Sequence, residues 1–206
     1  MKGFEGDVLV LFGDTPLLTA ETIQIMLSAR RAADNPAVVV LGFRPDNSAE
    51  YGRLITGADG ALEAIVEVKD ASQEQRKIGL CNAGVMAIDS AHLLPLLDSI
   101  GNDNANGEYY LTDIVKIARA RDLACAVVEA ADPIEVMGVN SRAQLAEAEA
   151  AMQDRLRQAA MAAGVTMTDP GTVWLSADTR IGRDVSIGPN VFFGPGVSIA
   201  DNVAIR

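Results

Sequence analysis

From Leu175 onward, large apolar residues fall every six positions: Leu175, Ile181, Ile187, Phe193, Ile199 and Ile205. Thr179, Val185, Val191, Val197 and Val203 follow each of the first five by four residues, and Gly182, Gly188 and Gly194 come directly after three of them. Neither the 3.6-residue period of a helix nor the two-residue period of a flat strand produces this spacing. A short fixed repeat of this kind signals a solenoid, here a parallel β-helix of hexapeptide repeats. Each short strand turns a corner and points one large aliphatic side chain inward, where it stacks on the next coil. Residues 175–206 supply fewer than two coils if each coil has three six-residue faces. Repeat folds need at least ~3 units and a capping end, so only the start of a solenoid is expected, truncated at Arg206.

Upstream the pattern is different. Asp7 to Phe12 is a continuous apolar run, the signature of a strand buried on both faces. Gly13-Asp14-Thr15-Pro16 ends it, and Thr19 precedes a stretch with helical spacing (Ile23, Met26, Leu27, Arg30). Ala37 to Phe43 reads as a second buried strand, which completes a βαβ unit and favours an α/β sheet. Tyr51–Thr56 and Ala61–Val68 form a predicted hairpin around Gly57–Gly60, and Leu80–Ile88 a further strand. Helices are predicted over Ala91–Ile100 and Tyr109–Arg121, around the loop Gly101–Gly107, with a strand over Ala124–Ala130. A long helix runs from Ser141 to Ala163, closed by Gly164. Its stripe Leu145, Ala148, Met152, Leu156, Ala159 and Ala163 is the predicted buried face. At 1.5 Å per residue the helix spans ~35 Å, enough to lead from one domain to another.

Composition narrows the function classes. The 206 residues carry 17 basic and 28 acidic side chains, a formal charge of -11. That balance argues against nucleic-acid or anionic-membrane partners, which need a cationic face. No apolar run approaches the ~20 residues of a membrane span. Met1–Asp7 has no long apolar core, so no secretory signal is expected. Cys81 and Cys125 supply neither a disulfide framework nor a CxxC knuckle, which leaves the reducing cytoplasm as the expected compartment. There is no GxxxxGK[ST] and no GxGxxG. His92 is the only histidine and stands beside Leu93 and Leu94, so histidine-dependent nucleophilic catalysis is not supported.

Several residues could carry chemistry, and each has a plainer reading. Asp14 lies at the carboxyl end of a parallel-type strand, where α/β proteins place ligands, and suits a hard cation such as Mg²⁺. It equally suits a turn before Thr-Pro. Gly52, in Tyr51-Gly52-Arg53, leaves room for a ligand near the backbone, or marks a bulge. Glu67 falls opposite the apolar alternation Leu62, Ala64, Val66, Val68, which alone reads as a solvated face, with Lys69-Asp70 a surface pair. Asn82 puts a polar amide in an apolar strand and needs partners, from a ligand hydroxyl or a neighbouring backbone group. Tyr110 and Thr112 stand at a helix mouth where a sugar or phosphate could meet them, or where they simply cap and pack. Asn140 reads either as an N-cap or as a neutral oxygen for a metal or sugar.

The order of these motifs says more than any one of them. Phe-Gly-Asp at 12–14, Tyr-Gly-Arg at 51–53, Val-Glu-Val-Lys-Asp-Ala at 66–71, Asn-Ala-Gly at 82–84, Gly-Glu-Tyr-Tyr-Leu-Thr-Asp at 107–113 and Gly-Val-Asn-Ser-Arg at 138–142 precede a long helix and hexapeptides. The whole chain resembles the bacterial bifunctional N-acetylglucosamine-1-phosphate uridyltransferase / glucosamine-1-phosphate N-acetyltransferase family. The blocks at 107–113 and 138–142 are its most specific parts.

The resemblance implies an α/β, Rossmann-like nucleotidyltransferase sheet, incomplete at the N-terminus, followed by a long helix and the start of a left-handed parallel β-helix. The implied divisions are a partial nucleotidyltransferase domain over 1–140, a linking helix over 141–164 and the coils over 165–206. It implies uridylyl transfer, in which the phosphate of N-acetylglucosamine 1-phosphate attacks the α-phosphorus of UTP and pyrophosphate leaves. The product, UDP-N-acetylglucosamine, feeds cell-wall and lipopolysaccharide synthesis. Asp14 and Asn140 would hold Mg²⁺. Gly52, Glu67, Asn82 and Asn140 would bind the sugar nucleotide, with Phe12, Gly13, Asp14, Tyr110 and Thr112 lining its site. Phe12 replaces the family's usual tyrosine, which removes any hydroxyl contact there.

The family's glycine-rich loop for UTP and the histidine base and acetyl-CoA site of its second activity have no counterpart in this sequence. A middle segment, inactive or nearly so alone, from a homotrimeric parent is therefore expected. The alternatives are another sugar-1-phosphate nucleotidyltransferase with a β-helix tail, or a non-catalytic sugar-nucleotide-binding and trimerisation module.

Overall fold

The apolar run near the amino end forms strand β1 (Asp7–Val10), and all four of its residues are half-buried rather than covered on both faces. The structure is a computed structural model that describes residues 3–206, so Met1 and Lys2, the first residues of the stretch read for a leader, lie outside it. It divides into two compact units, Met1–Gly138 and Val139–Arg206.

In the first unit, helix α1 (Ala20–Arg30) starts at Thr19, whose extended backbone and hydroxyl cap the helix by accepting the Thr22 N–H at 3.2 Å. Strand β2 (Val38–Phe43) is buried at all six positions, as its unbroken apolar run requires. The hairpin β3 (Arg53–Thr56) and β4 (Leu62–Val66) follows. A short helix α2 (Gln73–Arg76), opened by a reciprocal Ser72/Gln75 capping box, has no counterpart in the sequence reading. Strand β5 (Cys81–Asp89), helices α3 (Ser90–Leu97) and α4 (Asp113–Arg119) and strand β6 (Cys125–Glu129) complete the unit.

The sheet order is β4-β3-β5-β2-β6, with β1 also on β5. One edge of β5 pairs with β2. Its other edge is shared by β3, at Cys81, and β1, at Met86–Asp89. β1 is therefore antiparallel to its partner, not the parallel-type strand expected before Asp14. Because β5 is antiparallel to β2 as well, and β2 is parallel to β6, strands β1, β2 and β6 still run in one direction. The loop after β1 thus leaves the sheet on the side where β2 and β6 end.

A register slip between Ile55 and Thr56 leaves Glu63 as an extra residue, since Ile55 opposes Ala64 and Thr56 opposes Leu62. Such a bulge reverses the alternation. Leu62 and Ile65 are the buried members of β4, in place of the predicted set Leu62, Ala64, Val66 and Val68.

Val38, Val40, Met86 and Ile88 pack on one side of the sheet with Leu93, Leu96, Ile114 and Val115. Val39, Leu41, Val85 and Ala87 pack on the other with Met26. Each fully buried large aliphatic side chain here contributes about 1.5–3 kcal/mol relative to exposure. An ion cluster ties α1 to the sheet. Arg30 Nε donates to Asp7 at 2.6 Å, its second nitrogen approaches Asp89 at 3.2 Å, and Arg31 reaches Asp7 at 2.7 Å.

The second unit begins with α5 (Arg142–Ala162), capped by Ser141, whose hydroxyl accepts the Gln144 N–H. Ser141, not Asn140, is the N-cap. Of the predicted stripe Ala148 is buried, but Leu145, Ala159 and Ala163 are exposed, and Gln153 and Arg157 are buried in their place. Two polar residues go inward because backbone groups meet them there. Gln153 donates to Leu175 O at 2.8 Å and accepts from Leu175 N–H at 2.9 Å, and Arg157 donates to Val173 O at 3.1 Å.

Seven two-residue strands follow: β7 (Thr166–Met167), β8 (Val173–Trp174), β9 (Arg180–Ile181), β10 (Ser186–Ile187), β11 (Val191–Phe192), β12 (Ser198–Ile199) and β13 (Ala204–Ile205). They form three separate parallel stacks, β7-β10-β13, β8-β11 and β9-β12. Val173 opposes Val191, Arg180 opposes Ser198 and Ser186 opposes Ala204, a step of eighteen residues or three hexapeptides, whereas Thr166 opposes Ser186 at a step of twenty where the stacks begin. Val173, Leu175, Val185, Ile187 and Phe193 are buried at the centre, with Ile181, Val191, Val197, Ile199, Val203 and Ile205 packed on them. A Cβ at Gly182 would meet Asp201 N at 2.6 Å in the next coil, which is why a glycine stands at that corner.

Candidate functional site

The first unit gathers five of the predicted site residues into one contact chain. Gly52 O accepts the Asn82 N–H at 2.8 Å. Asn82 Oδ1 accepts the Gly84 N–H at 2.9 Å. Gly84 has φ +79, and a Cβ there would enter the Phe12 ring, so Phe12 lies directly on the backbone of the Asn-Ala-Gly block. At the other end, a Cβ at Gly52 would stand 3.3 Å from Glu67 Oε2. Glu67 Oε1 accepts the Thr112 hydroxyl at 3.0 Å. The chain of contacts therefore runs Phe12, Asn82, Gly52, Glu67, Thr112, with Gly84 joining the first two.

Local anchors hold this chain in place. Tyr51 packs edge-on against Phe43, ring centroids 4.8 Å apart and planes at 86°. Arg53 is only 2% exposed. Its guanidinium donates to Arg76 O, Ser48 Oγ and Tyr51 O. Gly52 is thus fixed from both neighbours. Thr112 stands at the N-cap position of α4, but in helical conformation and without a side-chain cap bond, which leaves its hydroxyl for Glu67. The predicted helix over Tyr109–Arg121 begins only at Asp113, so Tyr109 and Tyr110 remain in the loop.

Tyr110 and Glu67 line two adjoining concavities of about 410 and 190 Å³. Thr112 and Asp70 line the larger, Glu50 and Lys69 the smaller. Desolvation pushes the Tyr110 hydroxyl above its usual range, and the carboxylates of Asp70, Glu108 and Glu67 add to the shift, partly opposed by a hydrogen bond with Asn106. It stays protonated at neutral pH as a donor and acceptor. Lys69 and Asp70 are more than a surface pair: Lys69 Nζ donates to Asn106 Oδ1 at 3.0 Å and Asp70 accepts the Ala105 N–H at 3.1 Å, clasping the 101–107 loop. Burial raises both thiols, Cys125 to about 11, so neither is a nucleophile.

Gly13 and Asp14 follow Phe12 on an exposed loop, joined to the cluster through the chain itself. Asn140 belongs to the second unit and is exposed, its N–H donating to Gln144 Oε1 at 2.8 Å. Among the described residues no group of three or more His, Cys, Asp or Glu could hold a metal. A single exposed carboxylate nonetheless suits Mg²⁺, which keeps its waters and takes its other ligands from phosphates. No helix of the described residues is long and apolar enough to cross a membrane.

The sequence reading missed Glu135, which is buried beneath the start of α1. Its only signal was a carboxylate inside the apolar stretch of the Asp132-Pro133-Ile134-Glu135-Val136 turn.

No protein-family model matches this sequence. Among curated proteins, bifunctional protein GlmU of Rhodospirillum rubrum is 63% identical over 185 residues, 90% of this chain and 41% of that protein. Bifunctional protein GlmU of Paramagnetospirillum magneticum is 57% identical over 203 residues, 98% of this chain and 45% of that protein. A Bacillus anthracis structure described as a glucose-1-phosphate thymidylyltransferase in complex with sucrose shares the fold, with TM-score 0.53 and 17% identity over 74% of this chain and 56% of that one. The first unit is therefore a nucleotidyltransferase-like, Rossmann-type α/β fold on a mixed sheet. The chain spans less than half the length of the curated relatives it matches, and over that span it is similar to the bifunctional GlmU proteins.

Proposed function

We propose that the first unit carries the sugar-binding side of a uridylyltransferase site, which makes UDP-N-acetylglucosamine and pyrophosphate from UTP and N-acetylglucosamine 1-phosphate. The observation that carries this reading is the Glu67 carboxylate, set against the bare Cα of Gly52 and hydrogen-bonded to Thr112. A carboxylate oxygen accepts strongly from a sugar hydroxyl. The glycine leaves space for a ring to approach, and Thr112 orients the carboxylate. Asn82, its backbone already committed to Gly52 and its Oδ1 to Gly84, presents its amide nitrogen to the same ligand. Tyr110 closes the wall with a neutral hydroxyl.

In the proposed reaction the sugar phosphate attacks the α-phosphorus of UTP, and the bond to pyrophosphate breaks. Catalysis of this kind is mostly positioning and charge neutralisation. Mg²⁺, for which Asp14 offers a carboxylate in this unit, would supply the neutralising charge. The chain's own residues account for holding the sugar and fixing its orientation.

The stacked coils are read as the start of a left-handed parallel β-helix, supported by their eighteen-residue register and three separate stacks. The proposal includes a homotrimeric parent working in the cytoplasm on cell-wall precursors, with acetyl-CoA used only by the complete parent. A second reading, a non-catalytic assembly module, is favoured by one observation. Trp174 and Phe192 pair in register on adjacent coils and are 41% and 75% exposed, the kind of aromatic surface that partners cover.

Calorimetric titration of the chain with UDP-N-acetylglucosamine in Mg²⁺ tests the first reading. Saturable one-to-one binding lost in Glu67→Ala supports it, and the same affinity in wild type and Glu67→Ala removes it. Sedimentation of a Trp174→Ser/Phe192→Ser variant tests the second.

A further inference from the structure

Glu135 is 8% exposed and no cation is paired with it among the described ion pairs. A buried carboxylate without a counter-ion is costly unless donors satisfy it. Here the donors come from the beginning of α1, more than a hundred residues away in sequence. Glu135 Oε2 accepts the Thr22 hydroxyl at 2.6 Å, the Thr19 hydroxyl at 2.9 Å and the Thr19 N–H at 3.3 Å. A helix start offers both unpaired N–H groups and the positive end of the dipole, so a negative charge is stabilised there. Thr19 serves twice, capping the helix through Thr22 N–H and donating to Glu135.

The segment that ends at Thr19 is the loop carrying Phe12, Gly13 and Asp14. It is held at its near end by Phe12 on Gly84, and within by the Thr15 hydroxyl on Phe12 O at 3.0 Å. Leu17, 1% exposed, anchors it in the core. Glu135 fixes its far end. The loop is clamped at both ends while Asp14 between them stays exposed. We propose that Glu135 is a positioning residue that holds the Asp14 loop in its ligand-ready form, acting through Thr19 and Thr22 without touching substrate. This rests on the uridylyltransferase reading for what Asp14 does, and on geometry alone for the clamp.

The test uses the full 206-residue chain as wild type, Glu135→Ala, Glu135→Gln and Thr22→Val. Amide hydrogen exchange is followed over residues 11–22 and over β2 and β5, and UDP-N-acetylglucosamine is titrated with and without Mg²⁺. Loss of hydrogen bonds to a charged acceptor predicts exchange about tenfold faster over 11–22 in Glu135→Ala, with β2 and β5 unchanged. Thr22→Val reaches the same clamp from its other side and gives the same pattern. The gain in ligand affinity on adding Mg²⁺ falls about fivefold in both variants, and Glu135→Gln, which keeps an oxygen acceptor, recovers most of the protection. Unchanged exchange over 11–22, or an equal rise throughout β2 and β5, overturns the proposal. So does a loss of affinity that is the same with and without Mg²⁺. A wild-type chain that binds no UDP-N-acetylglucosamine sinks the functional reading instead, and the exchange data still decide the clamp.

Discussion

Thr112 occupies the N-cap position of α4 yet caps nothing; its hydroxyl donates instead to Glu67, 45 residues away, at 3.0 Å. A cap residue that forgoes its cap gives up about 1 kcal/mol of helix stability. Thr112→Val is therefore expected to cost only about 1 kcal/mol, the share of the Glu67 hydrogen bond, because no cap bond is lost. The same change is expected to weaken UDP-N-acetylglucosamine binding about five- to tenfold, since Glu67 loses its orienting donor. Melting curves and calorimetry on one preparation separate the two effects.

Gly84 and Phe12 are expected to be strongly coupled. Gly84→Ala puts a side chain at φ +79 and into the Phe12 ring, costing about 1–2 kcal/mol from the backbone alone and more from the clash. Phe12→Ala is expected to cost little, because the ring is half exposed. The double variant is expected to be more stable than the sum of the single effects by about 1 kcal/mol, since removing the ring removes the clash. Urea denaturation of the four proteins gives the cycle.

Asp7 sets an acid limit on stability. Burial alone would raise its pKa, but the hydrogen bonds and charges of Arg30 and Arg31 outweigh it and hold the carboxyl below its usual 3.8. A depressed folded value gives stability that is complete above pH 3.8 and lost as pH falls below it toward the folded value. Asp7→Asn is expected to lower stability by about 3 kcal/mol at neutral pH, because Arg30 loses a partner in a buried cluster. It is also expected to flatten the fall in stability below pH 3.8, a difference that thermal melts across an acid pH series measure directly.

Thr179 takes an inward hexapeptide position, and its hydroxyl is the one buried side-chain polar atom without a hydrogen-bond partner among the described residues. Thr179→Val keeps the shape and removes that orphan. The substitution is expected to stabilise the second unit by about 1 kcal/mol, read from its unfolding transition.

How much of this was legible beforehand follows the range of the forces involved. The hexapeptide period exposed the coils because stacking repeats one local requirement many times, and Leu175, Ile187 and Phe193 are buried where that period put them. β2 was legible because six consecutive apolar residues allow little else. The face of β4 was misread because a one-residue bulge opposite Ile55–Thr56 is invisible in the alternation of a single strand. The α5 stripe was misread because Gln153 and Arg157 are buried by backbone groups of residues 173–175, partners no helical pattern reveals. In the site, Gly52, Glu67, Asn82 and Thr112 were each ambiguous in isolation. Their meaning came from contacts spanning 30 to 45 residues, which only the folded sheet supplies. Glu135 was unreadable for the same reason, its partners lying at the far end of the unit.

The most direct test of the central claim is calorimetric titration of UDP-N-acetylglucosamine into the chain in Mg²⁺, for wild type and Gly52→Ala. A methyl group at Gly52 would stand 3.3 Å from Glu67 Oε2, in the space assigned to the sugar, while leaving the sheet intact. Saturable binding by the wild type, weakened tenfold or more in Gly52→Ala at an unchanged melting temperature, is the predicted result. Equal affinity in the two proteins would contradict the account.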